Sequence, residues 1–300
     1  LGSLAERRED ILPLAVHFLA EFAAEESIEA IGFNGEARRL LLESVYGFLT
    51  MKNGVPIGYV LAAALHESAE MAYNVFEPWR GHEAAKVYGR ALATASHLLG
   101  AKAFSAPPYQ LGHDNKEGLE SGAFWFYQKL GFQPADPGAR RALAQEQRRI
   151  ARDPAHRSSP ATLRKLAAGH VYFHLDRPRD DVAGKISLDR IGLAVGEWVG
   201  RHHGGDTEAA EASCSRRMRA SLGLSGRAAM DPMQRVWFGR WSVLACLLGV
   251  ERWPLADRRA VLPILLAKGA PREDAFAIGL SRHRRLRRAL VQLSRRRVGA

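Results

Sequence analysis

Tyr127 ends a run of aromatic residues, Phe124-Trp125-Phe126-Tyr127, and is followed by Gln128-Lys129-Leu130-Gly131-Phe132. A phenol in a protected site can act as a general acid; the plainer alternative is a tyrosine packed on a sheet beside Phe124 and Phe126. Glu67 and Glu70 flank a strand junction, where a carboxylate can take a proton directly or through water, or simply stand exposed in a turn near Ser68. His113 and Asp114 lie in a loop; imidazole titrates near neutrality and can act as a base, but a loop histidine is most often a surface group. The segment Arg80-Gly81-His82-Glu83-Ala84-Ala85 has a different chemistry. A guanidinium matches phosphate oxygens in a fork, a glycine admits a ligand close to the backbone, and a helix start offers free N–H groups and a favourable dipole to an anion. Arg80 can equally pair with Glu77 or Glu83. His202-His203 before Gly204-Gly205-Asp206 suggests metal ligation, yet adjacent histidines do not share a helix face and no third ligand is near. Cys214 and Cys246 stand far apart and read as small buried hydrophobes.

The elements that position these groups follow from patterning. Val45–Lys52 reads as a strand, Asn53-Gly54 as a type I′ hairpin turn, Val55–Leu65 as the returning strand and Glu70–Phe76 as a third. Pro78 and Gly81 break the chain before a long helix over Glu83–Leu99, closed by Gly100. Ala103–Ala106 is a short strand stopped by Pro107-Pro108, Tyr109–Lys116 a loop, and Gly118–Leu130 a helix closed by Gly131, after which Phe132-Gln133 begins a last strand. Helices are expected earlier over Leu4–Ala24 and Glu36–Leu42. Beyond Asp136 there is almost no strand signal; helices are expected over Gly138–Ala151, Pro160–Ala168, Leu188–Gly200, Thr207–Ala220, Pro232–Leu248, Asp257–Lys268 and Arg272–Arg297. Linkers are expected at Asp153-Pro154 and around Arg177-Pro178.

This order of strands, turn, helix, strand and helix resembles the GNAT superfamily of N-acyltransferases. Val75-Phe76-Glu77-Pro78-Trp79-Arg80-Gly81 looks like that family's strand end and the opening of its acyl-CoA pyrophosphate loop. Tyr127-Gln128-Lys129-Leu130-Gly131-Phe132 is similar to its Tyr-x-Lys-x-Gly-Phe ending, and Asn115 sits roughly where the family often has asparagine. The resemblance spans residues 46–134 and implies an α+β fold: a GNAT-like mixed, mainly antiparallel sheet with flanking helices. It implies acetyl-CoA or another acyl-CoA as co-substrate and no metal. Phe76, Arg80, Gly81, His82, Ala84, Ala85 and Asn115 would hold that co-substrate, Tyr127 would be the acid, and Glu67 or Glu70 the base. The acceptor would be a small-molecule or peptide amine, attacked on the acyl carbon directly. Two features depart from the family pattern: Glu83 stands where its central glycine belongs, and Asn115 lies twelve residues before Tyr127, so Gly112–Gly122 reads as an insertion. The stretch from Pro108 to Tyr127 also looks like a pattern in uncharacterised bacterial proteins. The alternative implied is a GNAT-like binding module without activity, or a structural subunit.

Composition sets the frame. The chain has 300 residues, 47% hydrophobic and 25% charged, ordinary for a globular protein of two domains. Its net charge of +11 is uneven: residues 1–134 carry −5 and residues 135–300 carry +16. A division is therefore expected into an acyl-CoA-binding domain over 1–135 and an all-α basic domain over 136–300, which shapes the acceptor site or mediates dimerisation. The segment Ser281–Ala300 has eight arginines and no acid, with Leu286, Leu290 and Leu293 on one helical face. Such a helix either docks its leucines on the acidic N-terminal part and exposes its arginines or binds nucleic-acid phosphates, anionic lipid or an acidic partner, although no base-reading or stacking motif accompanies it. Two isolated cysteines fit a reducing, cytoplasmic setting, no signal peptide is evident, and no apolar run reaches the length of a membrane span.

Overall fold

The computed structural model describes residues 41–81, 83–224, 230–270 and 273–296. The helix expected over Leu4–Ala24, and most of the one over Glu36–Leu42, lie outside the described residues. The described chain forms two compact units, one holding residues 45–64 and 68–184, the other residues 41–44, 65–67 and the chain from Lys185 onward.

The first unit is built on a mixed sheet. Its strands are β1 (Ser44–Lys52), β2 (Val55–Leu65), β3 (Ser68–Val75), β4 (Ala103–Ala106), β5 (Gln133–Pro134) and β6 (Val171–His174), in the spatial order β1-β2-β3-β4-β6-β5. Asn53 and Gly54 both take positive φ, 50° and 77°, as a type I′ turn requires. The β2–β3 turn does the same through His66 and Glu67, at 49° and 57°, without a glycine to announce it. A helix, α1 (Ala84–Leu99), carries the chain from β3 to a parallel β4. Its Tyr88, Ala91, Leu92, Ala95 and Leu99 fall at helical spacing and are buried, and Gly100 closes it at φ 66°.

Three short helices follow β4 where a loop and one helix were expected: α2 (Pro108–Leu111), α3 (Lys116–Glu120) and α4 (Ala123–Lys129). Gly122, at φ 66°, separates the last two. The larger difference lies further on. After α5 (Pro137–Arg152) and α6 (Pro160–Ala167), Val171–His174 enters the sheet between β4 and β5, antiparallel to both. A strand here was not expected, because four residues are too few to display alternation. The bounding Gly169 and Pro178 and the Val-Tyr-Phe run were nevertheless a usable signal.

From Leu188 the described chain is all-helical: α7 (Leu188–His203), α8 (Thr207–Ser221), α9 (Pro232–Leu247), α10 (Leu255–Ala267), α11 (Asp274–Arg282) and α12 (Arg284–Arg295), with one 3-10 turn at Val250–Arg252. The pairs α8–α9, α9–α10, α10–α11 and α7–α12 pack together. Trp241, Met218 and Phe276 are fully buried among them, and Cys214 and Cys246, both free thiols, are buried as well. The single helix expected over Arg272–Arg297 is broken at His283. The ring of His283 accepts the Leu286 N–H at 3.2 Å and so starts α12. Lys268 is buried, its ammonium donating to the Glu43 carbonyl at 2.7 Å and to Glu273 at 3.0 Å. Burial draws its pKa down, against the opposing charge of Glu273. Among the described residues no helix is long and apolar enough to cross a membrane.

Candidate functional site

The register of the sheet opens a gap in it. Ser68, Ala69 and Glu70 of β3 lie beside Ala103, Phe104 and Ser105 of β4. β4 ends one residue later at Ala106, whereas β3 continues to Val75. The Phe76 N–H turns to the Ile57 carbonyl of β2 at 3.0 Å. Peptide groups alternate sides along a strand, so those of Tyr73 and Val75 face away from β2, along an edge that β4 no longer covers.

Two side chains meet that edge. Gln110 of α2 accepts the Tyr73 N–H on its carboxamide oxygen at 3.1 Å, and Arg80 donates its Nε–H to the Val75 carbonyl at 3.1 Å. The same Gln110 oxygen lies 2.9 Å from the Tyr127 hydroxyl. A backbone N–H can only donate, so Gln110 must present oxygen to Tyr73, and the phenol must then be the donor of its bond. Tyr127 is buried against Tyr88, Phe126 and Phe132, and Tyr88 stacks on Tyr73 at 5.2 Å. Burial, then the neighbouring Tyr73, pushes the Tyr127 phenol well above its usual pKa, and burial lifts that of Tyr73 to about 12. Both phenols are therefore protonated at neutral pH.

The edge runs into the start of α1. Phe76 packs edge-on to Tyr59, a 3-10 turn covers Glu77–Trp79, and exposed Gly81 precedes the helix. His82 lies outside the described residues. Ala84 and Ala85 form the first turn; the Ala84 N–H bonds the Gly81 carbonyl at 3.1 Å, and no described side chain caps the helix. Glu83 does not plug this turn. Its carboxylate bonds Lys52 of β1 at 2.5 Å, and that bond, with the charge of Lys52, holds the Glu83 pKa below its ordinary value. Arg80 is engaged by an ion pair to Glu117 of α3.

The region read as an insertion is the folded segment that supplies Glu117. Asn115 starts α3, accepting the Gly118 N–H at 3.0 Å and donating to the Tyr109 carbonyl at 3.1 Å, so both ends of its amide serve the local fold. Gly112, at φ 108°, lets the chain turn back: a Cβ there would stand 2.8 Å from the Leu119 nitrogen. His113 and Asp114 pair loosely with each other at 3.5 Å on the surface.

The two candidate bases separate. Glu70 alternates with Met71 and Tyr73 and so lies on the sheet face opposite the Tyr73–Tyr88 stack. Its carboxylate bonds His170 Nε2 at 2.8 Å, and the His170 ring stacks on Tyr172. Burial and the Glu70 charge raise the Tyr172 pKa. Register places Glu70, Ser105 and Tyr172 in one row across β3, β4 and β6, at the level where β3–β4 pairing ends. Glu67 sits in the β2–β3 turn, its N–H bonded to Ser281 Oγ and its carboxylate 3.4 Å from Arg287. The structure thus brings Tyr127, through Gln110, and Arg80 to the β3 edge, with Phe76, Gly81, Ala84 and Ala85 following it in the chain; Glu70 lies in the last β3–β4 pair on the opposite sheet face, and Glu67 pairs with α12.

Sequence reading missed Gln110, Glu117, His170 and Lys52; only His170, ahead of an apolar run, carried a usable signal. His202 closes α7 with its ring stacked on Trp198 at 4.6 Å, and no group of three metal-ligating side chains occurs among the described residues. The chain matches no protein-family model, no curated protein and no solved structure.

Proposed function

We propose that the chain is a GNAT-type acyltransferase that moves an acyl group from acyl-CoA to an amine. The observation that carries this reading is the β3 edge beyond Ala106, where the Tyr127 hydroxyl and Tyr73 meet on Gln110 and from which the chain runs on to the start of α1, capped by no described side chain. First-turn N–H groups and Arg80, released from Glu117, suit a diphosphate. Bound acyl-CoA would supply the acyl carbon as a thioester. The amine nitrogen forms the new bond to that carbon, the carbon–sulfur bond breaks, and its electron pair leaves on sulfur. Tyr127 gives its proton to the sulfur. Glu70, oriented by His170, takes the proton lost by the amine, and solvent then restores both groups. Calorimetric titration with acetyl-CoA and with CoA tests the reading: sub-millimolar binding is expected, and absence of binding refutes it.

A second reading rests on α12. Leu286, Leu290 and Leu293 are buried, and at 100° per residue Arg284, Arg288 and Arg295 line the opposite side, exposed and with no acid partner among the described residues. Arg285 and Arg287, flanking the stripe, pair with Asp257 and Glu67. Such a stripe suits a polyphosphate backbone. Retention on heparin or DNA that weakens steeply with salt, and falls on Arg284/Arg288/Arg295→Ala, supports it; no retention at low salt refutes it.

A further inference from the structure

We propose that Gln110 is an internal occupant of the acyl site, holding in the free protein the two donors that a ligand carbonyl takes over when Gln110 swings out. The inference rests on the acyl-CoA reading above and adds to it a built-in closure. Tyr73 N–H and Tyr127 O–H converge on one carboxamide oxygen at 3.1 and 2.9 Å. Two donors of this kind, one from the main chain and one a phenol, polarise whatever carbonyl they hold. A carboxamide carbonyl is the nearest side-chain analogue of a thioester or amide carbonyl, so the site is already filled by a mimic of its ligand.

The rest of the edge is closed in the same manner. Arg80 covers the Val75 carbonyl and is itself anchored by Glu117. Both closures therefore depend on the segment 108–120: α2 contributes Gln110 directly, and α3 contributes the anchor of Arg80. The segment read as an insertion, Gly112–Gly122, shares in this closure through Glu117, which anchors Arg80. Opening requires no change of main chain. Gln110 is half-buried, and rotation of an accessible side chain takes picoseconds to nanoseconds. Its two hydrogen bonds are exchanged one for one with those of the incoming carbonyl, so the closure lowers affinity without abolishing binding.

The competing explanation is that Gln110 only blunts a bare strand edge against pairing with another chain. Calorimetry of the full chain with acetyl-CoA separates the two. If Gln110 occupies the site, Gln110→Ala binds about tenfold tighter than wild type, the worth of roughly two displaced hydrogen bonds. Gln110→Asn, one methylene shorter and unable to span both donors, moves the same way and serves if the alanine variant is poorly folded. Exchange of the Tyr73 amide hydrogen, accelerated at least about tenfold in Gln110→Ala, checks that the bond has been removed in a folded protein. Equal affinity in all three proteins overturns the proposal and leaves the acyl-CoA reading standing. Weaker binding in both variants overturns it by making Gln110 a ligand contact. No binding by any of them overturns the acyl-CoA reading and this inference together.

Discussion

Tyr127→Phe separates chemistry from packing. The substitution removes one hydroxyl, whose bond to Gln110 is 2.9 Å long. Gln110 keeps its bond from Tyr73, so no acceptor is stranded, and the ring contacts with Tyr88, Phe126 and Phe132 are retained. The stability cost is therefore that of a single satisfied hydrogen bond, about 1 kcal/mol. Loss of a proton donor to a leaving group lowers turnover by about a hundred- to ten-thousandfold, equivalent to roughly 3–5 kcal/mol of barrier. The two effects differ enough to be read apart. Release of CoA is followed with a thiol reagent at saturating acetyl-CoA across a panel of amines, with calorimetric affinity and thermal melting measured on the same samples. The expected outcome is acetyl-CoA affinity within about threefold of wild type, a small fall in melting temperature and a collapse of kcat. Turnover equal to wild type in a folded Tyr127→Phe protein would remove Tyr127 from the reaction and, with it, the assignment of this edge as the reacting end of the site.

Three further outcomes test other parts of the structure. Glu83→Gln removes a negative charge beside the proposed diphosphate site and frees Lys52, so acetyl-CoA should bind roughly threefold tighter at low salt, with the gain fading as salt is raised; calorimetry at two ionic strengths reads it. Glu146 of α5 is buried, and although burial opposes its ionisation, bonds from Ser158, His156 and Arg149 outweigh it and hold its pKa below the usual value. A depressed folded-state value stabilises above the unfolded pKa and is lost as pH falls through the folded one, so Glu146→Gln should cost about 1–2 kcal/mol at neutral pH, and the gap in melting temperature from wild type should close below about pH 4. Lys268→Ala removes the ammonium's bonds to the Glu43 carbonyl and to Glu273 and leaves a cavity beside Phe276, so it should cost about 3 kcal/mol in urea unfolding.

Much of the sheet was legible because its signals are local. Asn53-Gly54 fixed a hairpin, Pro78 and Gly81 marked the break before α1, and Gly100 marked its end. β6 was hidden because its partners β4 and β5 precede it by many residues, and nothing within four residues encodes whom they pair with. The candidate site shows the same division. Arg80, Gly81 and Tyr127 were visible as residue types at motif spacing, whereas the bond from Tyr127 to Gln110 and that from Glu70 to His170 join positions 17 and 100 residues apart. The departure at Glu83 was visible, but its consequence was not, because Lys52, which draws the carboxylate aside, lies on a different strand. On α12 the leucine stripe foretold burial correctly, with α7 packed on that helix, while the break at His283 depended on a side chain capping a backbone that sequence periodicity carries straight through.

Gly112 has a consequence for how the closure can be tuned. Its bare Cα rests against the Leu119 backbone, and any side chain there would wedge the turn apart and push α3 outward. Such a wedge would carry Glu117 away from Arg80. The ion pair that holds Arg80 over the β3 edge thus depends on a glycine that touches neither Arg80 nor Glu117, because a Cβ there would stand 2.8 Å from the Leu119 nitrogen.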